Sequence, residues 1–228
     1  GSSAYEFNGT SDEITLSGTD LIPGSANGMT ISFWAWGANN QPRNDTLLRF
    51  EDSSGNRVAN IHVPWGNGTI YWDAGDSSGH DRIDSYRWQP IDFEGRWNHY
   101  VFIKDVNAGT MGIYINGVLF LSGTGKTKPF GTVTDIAIGS QNGSNYYAGK
   151  IDELAVWSRA LSTSEIESIY QKQSQFAMLD SSGQGNSLRD AGPATGGTDS
   201  TQTTGKVGAY ARAFDGTDQY IAGTIPNG

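Results

Sequence analysis

Short apolar runs recur along most of the chain, and clusters of glycine, asparagine, aspartate and serine separate them. Runs rich in β-branched and aromatic residues between such turn clusters are typical of short antiparallel strands. The regular spacing indicates an antiparallel sandwich. The predicted strands cover residues 30–36, 46–50, 58–63, 69–73, 96–104, 112–115, 133–138 and 151–157.

Two local signals add a hairpin and a helix. Asn116-Gly117 favours a type I′ hairpin turn, because both central residues of that turn have positive φ. Ser162 and Glu165 have the spacing of a capping box, and apolar residues follow at helical intervals. We therefore predict one short helix near residues 162–174, which we expect to close an edge or an end of the sandwich.

The composition agrees with a β-rich fold. Glycine accounts for 31 of the 228 residues, about twice its average frequency. Charged residues make up 17% of the chain, which argues against a helical bundle or a coiled coil. The absence of cysteine excludes zinc fingers, thiol catalysis and disulfide scaffolds. No apolar run approaches the roughly 20 residues of a membrane span, so membrane insertion is not expected.

The charge balance narrows the class of partner. Fifteen Lys and Arg against 24 Asp and Glu give a net charge of −9. An acidic chain is a poor partner for nucleic acid or an anionic membrane, because like charges repel. It is a better partner for neutral glycans, or for cations such as calcium.

An internal repeat suggests how the chain is organised. Residues 4–14 align without a gap with residues 211–221, and Ala, Phe, Gly, Thr and Ile recur at matching positions. We interpret residues 1–175 as one domain and residues 176–228 as the start of a second tandem repeat. The alternative is that residues 176–228 form a C-terminal extension that packs on the first domain.

Five segments in order carry a family resemblance. They are the opening F-N-G-T-S-D-E-I-T-L, the strand M-T-I-S-F-W-A-W, the strand R-W-N-H-Y-V, the hairpin G-I-Y-I-N-G and the closing G-K-I-D-E-L-A-V-W-S-R-A-L-S. In order and spacing, over residues 4–172, they resemble the laminin-G-like jelly rolls of the concanavalin A-like lectin/glucanase superfamily. The resemblance implies a concanavalin A-like β-sandwich (jelly roll) of two antiparallel sheets. It also implies glycan binding or adhesion, in a secreted or cell-surface protein.

The resemblance also implies a structural calcium ion. Family members often hold one where the first strand meets the closing strand, and calcium takes oxygen ligands. Carried over by motif, the candidate ligands are Asn8, Gly9 and Asp152. Asn8 stands where aspartate is commoner, which lowers the charge of the ligand set. The alternative is that Asp152 caps neighbouring backbone amides and holds no ion.

Residues 61–73 concentrate the side chains that bind sugars. Flat aromatic rings stack on the apolar faces of pyranoses, and planar polar groups bind their hydroxyls. Rings at strand ends or in loops, together with nearby polar groups, therefore predict a polysaccharide or glycan partner. The candidate ligand-binding residues are Trp36, Arg49, His62, Trp65, Tyr71, Asp73, Arg82 and Trp88.

No catalytic constellation is recognisable. The Glu-x-Asp-x-(x)-Glu motif of glucanases is absent, and Asp152 and Glu153 are adjacent in a strand, so they point to opposite faces. The sequence thus favours a noncatalytic, lectin-like carbohydrate-binding module, appended to an enzyme or part of an adhesin. The alternatives are a structural or protein-binding spacer among neighbouring repeats of the parent chain, and a degenerate relative of glycoside hydrolases.

Overall fold

The computed structural model describes residues 4–86 and 93–174, and five short strands beyond them, at 178–179, 187–190, 201–203, 211–213 and 221–223. The chain divides into two compact units, Gly1–Tyr170 and Gln171–Gly228.

Two six-stranded antiparallel sheets build the first unit, which confirms the predicted jelly-roll sandwich. The strands are β1 (Tyr5–Asn8), β2 (Ile14–Ile22), β3 (Gly28–Gly37), β4 (Leu48–Glu51), β5 (Arg57–His62), β6 (Thr69–Asp76), β7 (Gly79–Tyr86), β8 (Trp97–Asp105), β9 (Thr110–Ile115), β10 (Val118–Thr124), β11 (Val133–Ile138) and β12 (Ala148–Trp157). Sheet A has the order β1-β12-β3-β8-β9-β10, and sheet B has the order β2-β11-β4-β5-β6-β7.

The core lies between the two sheets, where one face of each is apolar. In β3, Ile31 and Phe33 are fully buried, and Phe33 stacks on Phe102 of β8. Ile70 and Trp72 of β6 enter the same core from sheet B. Alternate residues of a strand point to opposite faces, so the intervening residues of β6 lie on the outer face of sheet B.

The Asn116-Gly117 hairpin is confirmed. These residues have φ of 52° and 78°, and Ile115 pairs with Val118 directly before and after the turn. A Cβ on Gly117 would lie 2.8 Å from a ring carbon of Tyr170. Glycine is therefore required here both for its positive φ and for the space.

Helix α1 (Thr163–Ser174) begins with the predicted capping box. The Glu165 amide donates to the Ser162 hydroxyl at 3.3 Å, and the Ser162 amide donates to the Glu165 carboxylate at 2.8 Å. Ile166 packs with Val101 and Ile103 of β8. These two alternate with residues of the inner core, so the helix covers the outer face of sheet A and does not close an edge or end. The reason is that β8 is apolar on both faces, and its outer face needs a cover.

The described residues of the second unit include five short strands. β13 (Met178–Leu179), β14 (Ser187–Asp190) and β17 (Ile221–Gly223) form one sheet, and β15 (Thr201–Thr203) pairs with β16 (Ala211–Ala213). Residues 214–220, on which the repeat alignment mainly depends, lie outside the described residues. The second tandem repeat stays a prediction. Within the described ranges, no helix has the length and apolar character needed to cross a bilayer.

Candidate functional site

The outer face of sheet B brings together most of the predicted ligand-binding residues. Cross-strand partners point to the same face of a sheet. Arg49 of β4 pairs with Asn60 of β5, Asn60 pairs with Asp73 of β6, and Asp73 pairs with Arg82 of β7. The neighbouring row contains His62 and Tyr71, and Trp65 lies against His62. Six predicted residues thus form one surface.

Asp73 is the electrostatic centre of this surface. Its side chain is 0% exposed although it lies on the outer face. Arg57 donates to it from Nη1 at 2.5 Å, and Arg82 donates from Nε at 2.5 Å and from Nη2 at 2.8 Å. The hydrogen bond to this carboxylate raises the pKa of Arg82. The two bonds from Arg82 fix the plane of its guanidinium group, and Arg57 adds a third bond to the same carboxylate.

Arg57 is a site residue that sequence reasoning missed. Counting back from His62 by strict alternation places residue 57 on the core face. In the structure, Phe50 pairs with Ala59 but Glu51 pairs with Arg57, so Val58 is an extra residue in β5. This β-bulge turns Arg57 outward, toward Asp73. No signal in the sequence marks the bulge.

The exposed part of the surface is aromatic and planar. The ring centroids of His62 and Trp65 lie 4.4 Å apart, and those of His62 and Tyr71 lie 5.9 Å apart. The guanidinium of Arg82 lies over the Tyr71 ring at 4.8 Å from its centroid. Part of the Tyr71 face is therefore covered by a planar hydrogen-bond donor. Trp65, Arg82 and the remainder of the Tyr71 ring are the parts of this surface open to solvent.

His62 is held neutral beneath these rings. Nδ1 lies 2.8 Å from the carbonyl of Asp45, so Nδ1–H donates to it. Nε2 then accepts from the Asn60 amide at 2.8 Å. Burial lowers the pKa of His62 to about 4. His62 thus positions the rings, and it does not carry charge to a ligand at neutral pH.

We call the surface formed by Trp65, Tyr71 and Arg82, with Arg57 and Asp73 behind them, the Tyr71 site. It combines flat rings with fixed donors, which is the surface chemistry that sugar hydroxyls and pyranose faces require. Asp73 is ion-paired to two arginines, so its role is to orient them.

Two of the predicted ligand-binding residues are not part of this site. Trp36 belongs to sheet A, where it pairs with Trp97 and Lys150, and the Lys150 ammonium lies 5.3 Å from its ring centroid. Grouping Trp36 with Tyr71 is therefore wrong, because the two residues belong to different sheets. Alternation along a strand does not reveal which sheet that strand joins. Trp88 lies outside the described residues.

The predicted calcium ligands are not brought together. Asn8 pairs with Ala148, and Asp152 lies four residues further along β12, roughly 13 Å away. The Asn8 side-chain oxygen accepts from the amides of Thr10 and Ser11, and the Gly9 carbonyl accepts from Arg43 at 2.9 Å.

The oxygens of this region therefore already have protein donors. Asp152 accepts from the Glu153 amide at 2.8 Å, as the capping alternative expected. A positive guanidinium at Gly9 also repels a cation. Asn8, Gly9 and Asp152 do not fit a shared calcium ion. Within the described ranges, no three His, Cys, Asp or Glu side chains are grouped as metal ligands.

Comparisons with known proteins agree with this architecture. The binding domain of botulinum neurotoxin serotype G superposes with a TM-score of 0.60 at 20% identity, covering 79% of this chain and 47% of that one. The serotype D ligand-binding domain in complex with N-acetylneuraminic acid gives 0.60 at 17% identity, with coverage of 79% and 47%. The chain thus spans about half the length of these neurotoxin domains.

A third similar structure is nearer in length. The native heptameric SAP-like pentraxin of Limulus polyphemus gives a TM-score of 0.54 at 17% identity, covering 72% of this chain and 80% of that one. At these identities the likeness shows the fold alone. No curated protein matches the chain in sequence.

The fold and the exposed face together define a jelly-roll domain of the lectin-like class. The family model described as the concanavalin A-like lectin/glucanases superfamily matches residues 8–167. The chain belongs to this superfamily.

Proposed function

We propose that the chain is a noncatalytic carbohydrate-binding module of a secreted or cell-surface protein, and that the Tyr71 site binds the glycan. The observation that carries the proposal is the grouping of the half-buried Trp65 and Tyr71 with Arg82, whose guanidinium lies over the Tyr71 ring and is held by the buried Asp73. Side chains that are already fixed before binding lose little conformational entropy when a ligand binds. A small surface can therefore bind a polysaccharide chain. The bound N-acetylneuraminic acid of the similar serotype D domain adds support.

Binding without catalysis is favoured by the surroundings of Asp73. Glycoside hydrolysis needs two carboxyl groups that flank the scissile bond. Asp73 is instead flanked by Arg57 and Arg82. We expect no release of reducing sugar from any polysaccharide that the chain retains. Sustained release would favour the hydrolase alternative.

The test is retention on a panel of neutral and acidic polysaccharides by affinity electrophoresis. We expect Trp65→Ala and Tyr71→Ala each to lower affinity about five- to thirtyfold, because each removes a stacking surface worth roughly 1–2 kcal/mol. Trp36→Ala is the matched control. It removes a ring of the same kind from sheet A, and it should leave retention unchanged.

The outcomes separate the candidate functions. Equal retention of all four proteins would place the glycan elsewhere. A folded wild-type chain that retains no polysaccharide would contradict glycan binding. The spacer or adhesin function would then be favoured, for which the recurrence of residues 4–14 at 211–221 is the supporting observation.

A further inference from the structure

Another feature lies on the same outer face of sheet B, on strands next to the Tyr71 site. It is a cavity of about 310 Å³, bordered by strands β4, β11 and β2 and by the loop after β4. We call it the Arg49 cavity. Its polar lining includes Ser17, Arg49, Glu51, Asp52, Asp135 and Asn142.

Arg49 connects this cavity to the Tyr71 site. Arg49 is 8% exposed, and its Nε donates to Glu51 at 2.8 Å. Its Nη1 has no hydrogen-bond partner in the described part of the chain. Its cross-strand partner Asn60, 1% exposed, leaves Oδ1 unpaired in the same way. A buried donor without a partner costs stability. Arg49 lines the cavity, so a hydroxyl bound there can accept from its Nη1, whereas Asn60 is not among the lining residues.

The cavity also holds two carboxylates close together. Glu51 of β4 and Asp135 of β11 are cross-strand partners, so their Cβ atoms lie roughly 5 Å apart. Like charges that face each other across a sheet are unfavourable. Glu51 accepts from Arg49 and Asn142, and Asp135 accepts from Thr134, so protein donors hold both carboxylates in place. Each carboxylate has about four lone-pair sites, which leaves some for the hydroxyl donors of a ligand.

The pair of Glu51 and Asp135 does not indicate hydrolysis of glycosidic bonds. An acid catalyst needs one carboxyl that is protonated at working pH. The Thr134 hydroxyl donates to Asp135 at 2.7 Å, and with Ser17 it lowers the pKa of Asp135. The carboxyl of Asp135 is therefore ionised when the chain is at neutral pH. It can accept hydrogen bonds but has no proton to give.

The charges of the lining select the kind of sugar. Glu51, Asp52 and Asp135 outnumber Arg49, so the cavity carries net negative charge. A uronic acid or a sulfated sugar would be repelled there. The Tyr71 site is closer to neutral, because Asp73 and the neighbouring Asp84 balance Arg57 and Arg82.

We propose that the Arg49 cavity is a second subsite, which binds one neutral pyranose unit of the glycan that occupies the Tyr71 site. The inference rests on the proposed function. Tyr71 is on β6 and the cavity is centred near β11, three strands away, which is roughly 14 Å. A disaccharide is too short to fill both subsites, so the ligand is an oligosaccharide chain that crosses the strands.

The test uses neutral oligosaccharides, from disaccharide to hexasaccharide, of β-1,4-glucan, β-1,3-glucan, β-1,4-xylan and β-1,4-mannan. Titration calorimetry gives the affinity for each length. In the wild type we expect affinity to rise with length beyond the disaccharide and then to level off. Oligogalacturonides of the same lengths should not show this rise.

Ser17→Trp fills the cavity from an exposed position on the edge strand β2. Ser122→Trp makes the same exchange at an exposed position on β10, the edge strand of sheet A, and is the matched control. We expect Ser17→Trp to lower hexasaccharide affinity about tenfold while leaving disaccharide affinity unchanged. Ser122→Trp should bind all lengths as the wild type does. Glu51→Gln should repeat the length-specific loss in part.

The outcomes distinguish the two proposals. If Ser17→Trp and Glu51→Gln bind the hexasaccharide like the wild type while Tyr71→Ala does not, the second subsite is wrong and the Tyr71 site stands. If Ser17→Trp loses affinity while Tyr71→Ala keeps it, the cavity is the glycan site and the Tyr71 site is wrong. A folded wild-type chain that binds no oligosaccharide overturns both.

Discussion

At the scale of single residues, the site depends on polar groups buried beneath an exposed layer. Asp73 fixes Arg57 and Arg82, and His62 supports Trp65 from below. None of these buried groups needs to touch a ligand. Their contribution is to hold the exposed planes in one geometry before a ligand arrives.

Replacing Asp73 should therefore affect stability as well as binding. Asp73→Asn leaves Arg57 and Arg82 facing a neutral amide on a buried position. We expect a loss of roughly 2–4 kcal/mol in the free energy of unfolding, measured by urea denaturation. Glu167→Gln, at an exposed position of α1, is the control and should change it by less than about 0.5 kcal/mol. Equal effects of the two exchanges would mean that the ion pairs contribute nothing.

A second prediction concerns the buried carboxyl of Asp45 and how the stability of the folded chain depends on pH. It is 1% exposed, and burial raises the pKa of its carboxyl to about 7. The value in an unfolded chain is near 3.8, so the folded chain keeps a proton that the unfolded chain releases between about pH 4 and 7. The stability from this protonated group is complete below pH 4 and is lost as the pH rises through 7.

Asp45→Asn cannot ionise and serves as the comparison. We expect the wild type to lose stability relative to this variant between pH 4 and pH 7, by an amount on the order of 4 kcal/mol for the full shift. The difference should then stay constant above pH 7. Thermal unfolding across this range measures it. A difference that is independent of pH would show that Asp45 is ionised throughout.

At the scale of elements, the sequence predicted the central strands well and the edge strands poorly. β3, β6 and β8 are apolar and β-branched, so their pattern is unambiguous. β7 reads G-H-D-R-I-D-S-Y, which carries five ionisable residues and a single aliphatic one. It lies at the edge of sheet B, where charge is tolerated and even protective. Its pattern is therefore that of a loop.

The same limit applies to the candidate site. Alternation within β4 to β6 correctly placed Arg49, His62, Tyr71 and Asp73, because each strand keeps its period there. Alternation could not place Trp36, because it does not reveal which of the two sheets a strand joins. Nor could it find Arg57, whose direction depends on the bulge.

A further prediction tests how much the N-cap residue of helix α1 contributes to stability. Ser162→Ala removes the hydroxyl that accepts from the Glu165 amide and should cost about 1 kcal/mol of stability. Ser168→Ala is the control within the same helix. Its hydroxyl donates back to the Ser164 carbonyl at 2.8 Å, an interaction that adds little to a helix. Chemical denaturation should therefore separate the two variants. Equal losses would contradict the role assigned to the cap.

At the scale of the whole first unit, the two sheets differ in what lies on their outer faces. Ile166 of α1 packs on Val101 and Ile103 of sheet A. Among the described residues, sheet B instead presents the Tyr71 site and the Arg49 cavity on its outer face. This difference explains why Trp36 and Tyr71, both aromatic and both on outer faces, have different neighbours. It also concentrates the proposed glycan binding on a single sheet.

The predicted calcium ion would join β1 to β12, so its removal would affect the stability of the whole first unit. The geometry of Asn8, Gly9 and Asp152 leads us to expect that EDTA changes neither the thermal midpoint nor polysaccharide retention. Differential scanning calorimetry and affinity electrophoresis, each with added calcium and with EDTA, measure this. A midpoint lowered by several degrees in EDTA would show that an ion is held by other oxygens.

The chemical difference between the two ends of the sheet B face has one more consequence. A polysaccharide is a directional polymer, with a reducing end and a non-reducing end. A face with an aromatic ring and arginines on β5 to β7, and a pair of carboxylates on β4 and β11, lacks the symmetry needed to bind both directions equally. Every copy of the module on one polymer strand would then point the same way. The parent protein would approach the rest of that strand from a constant side.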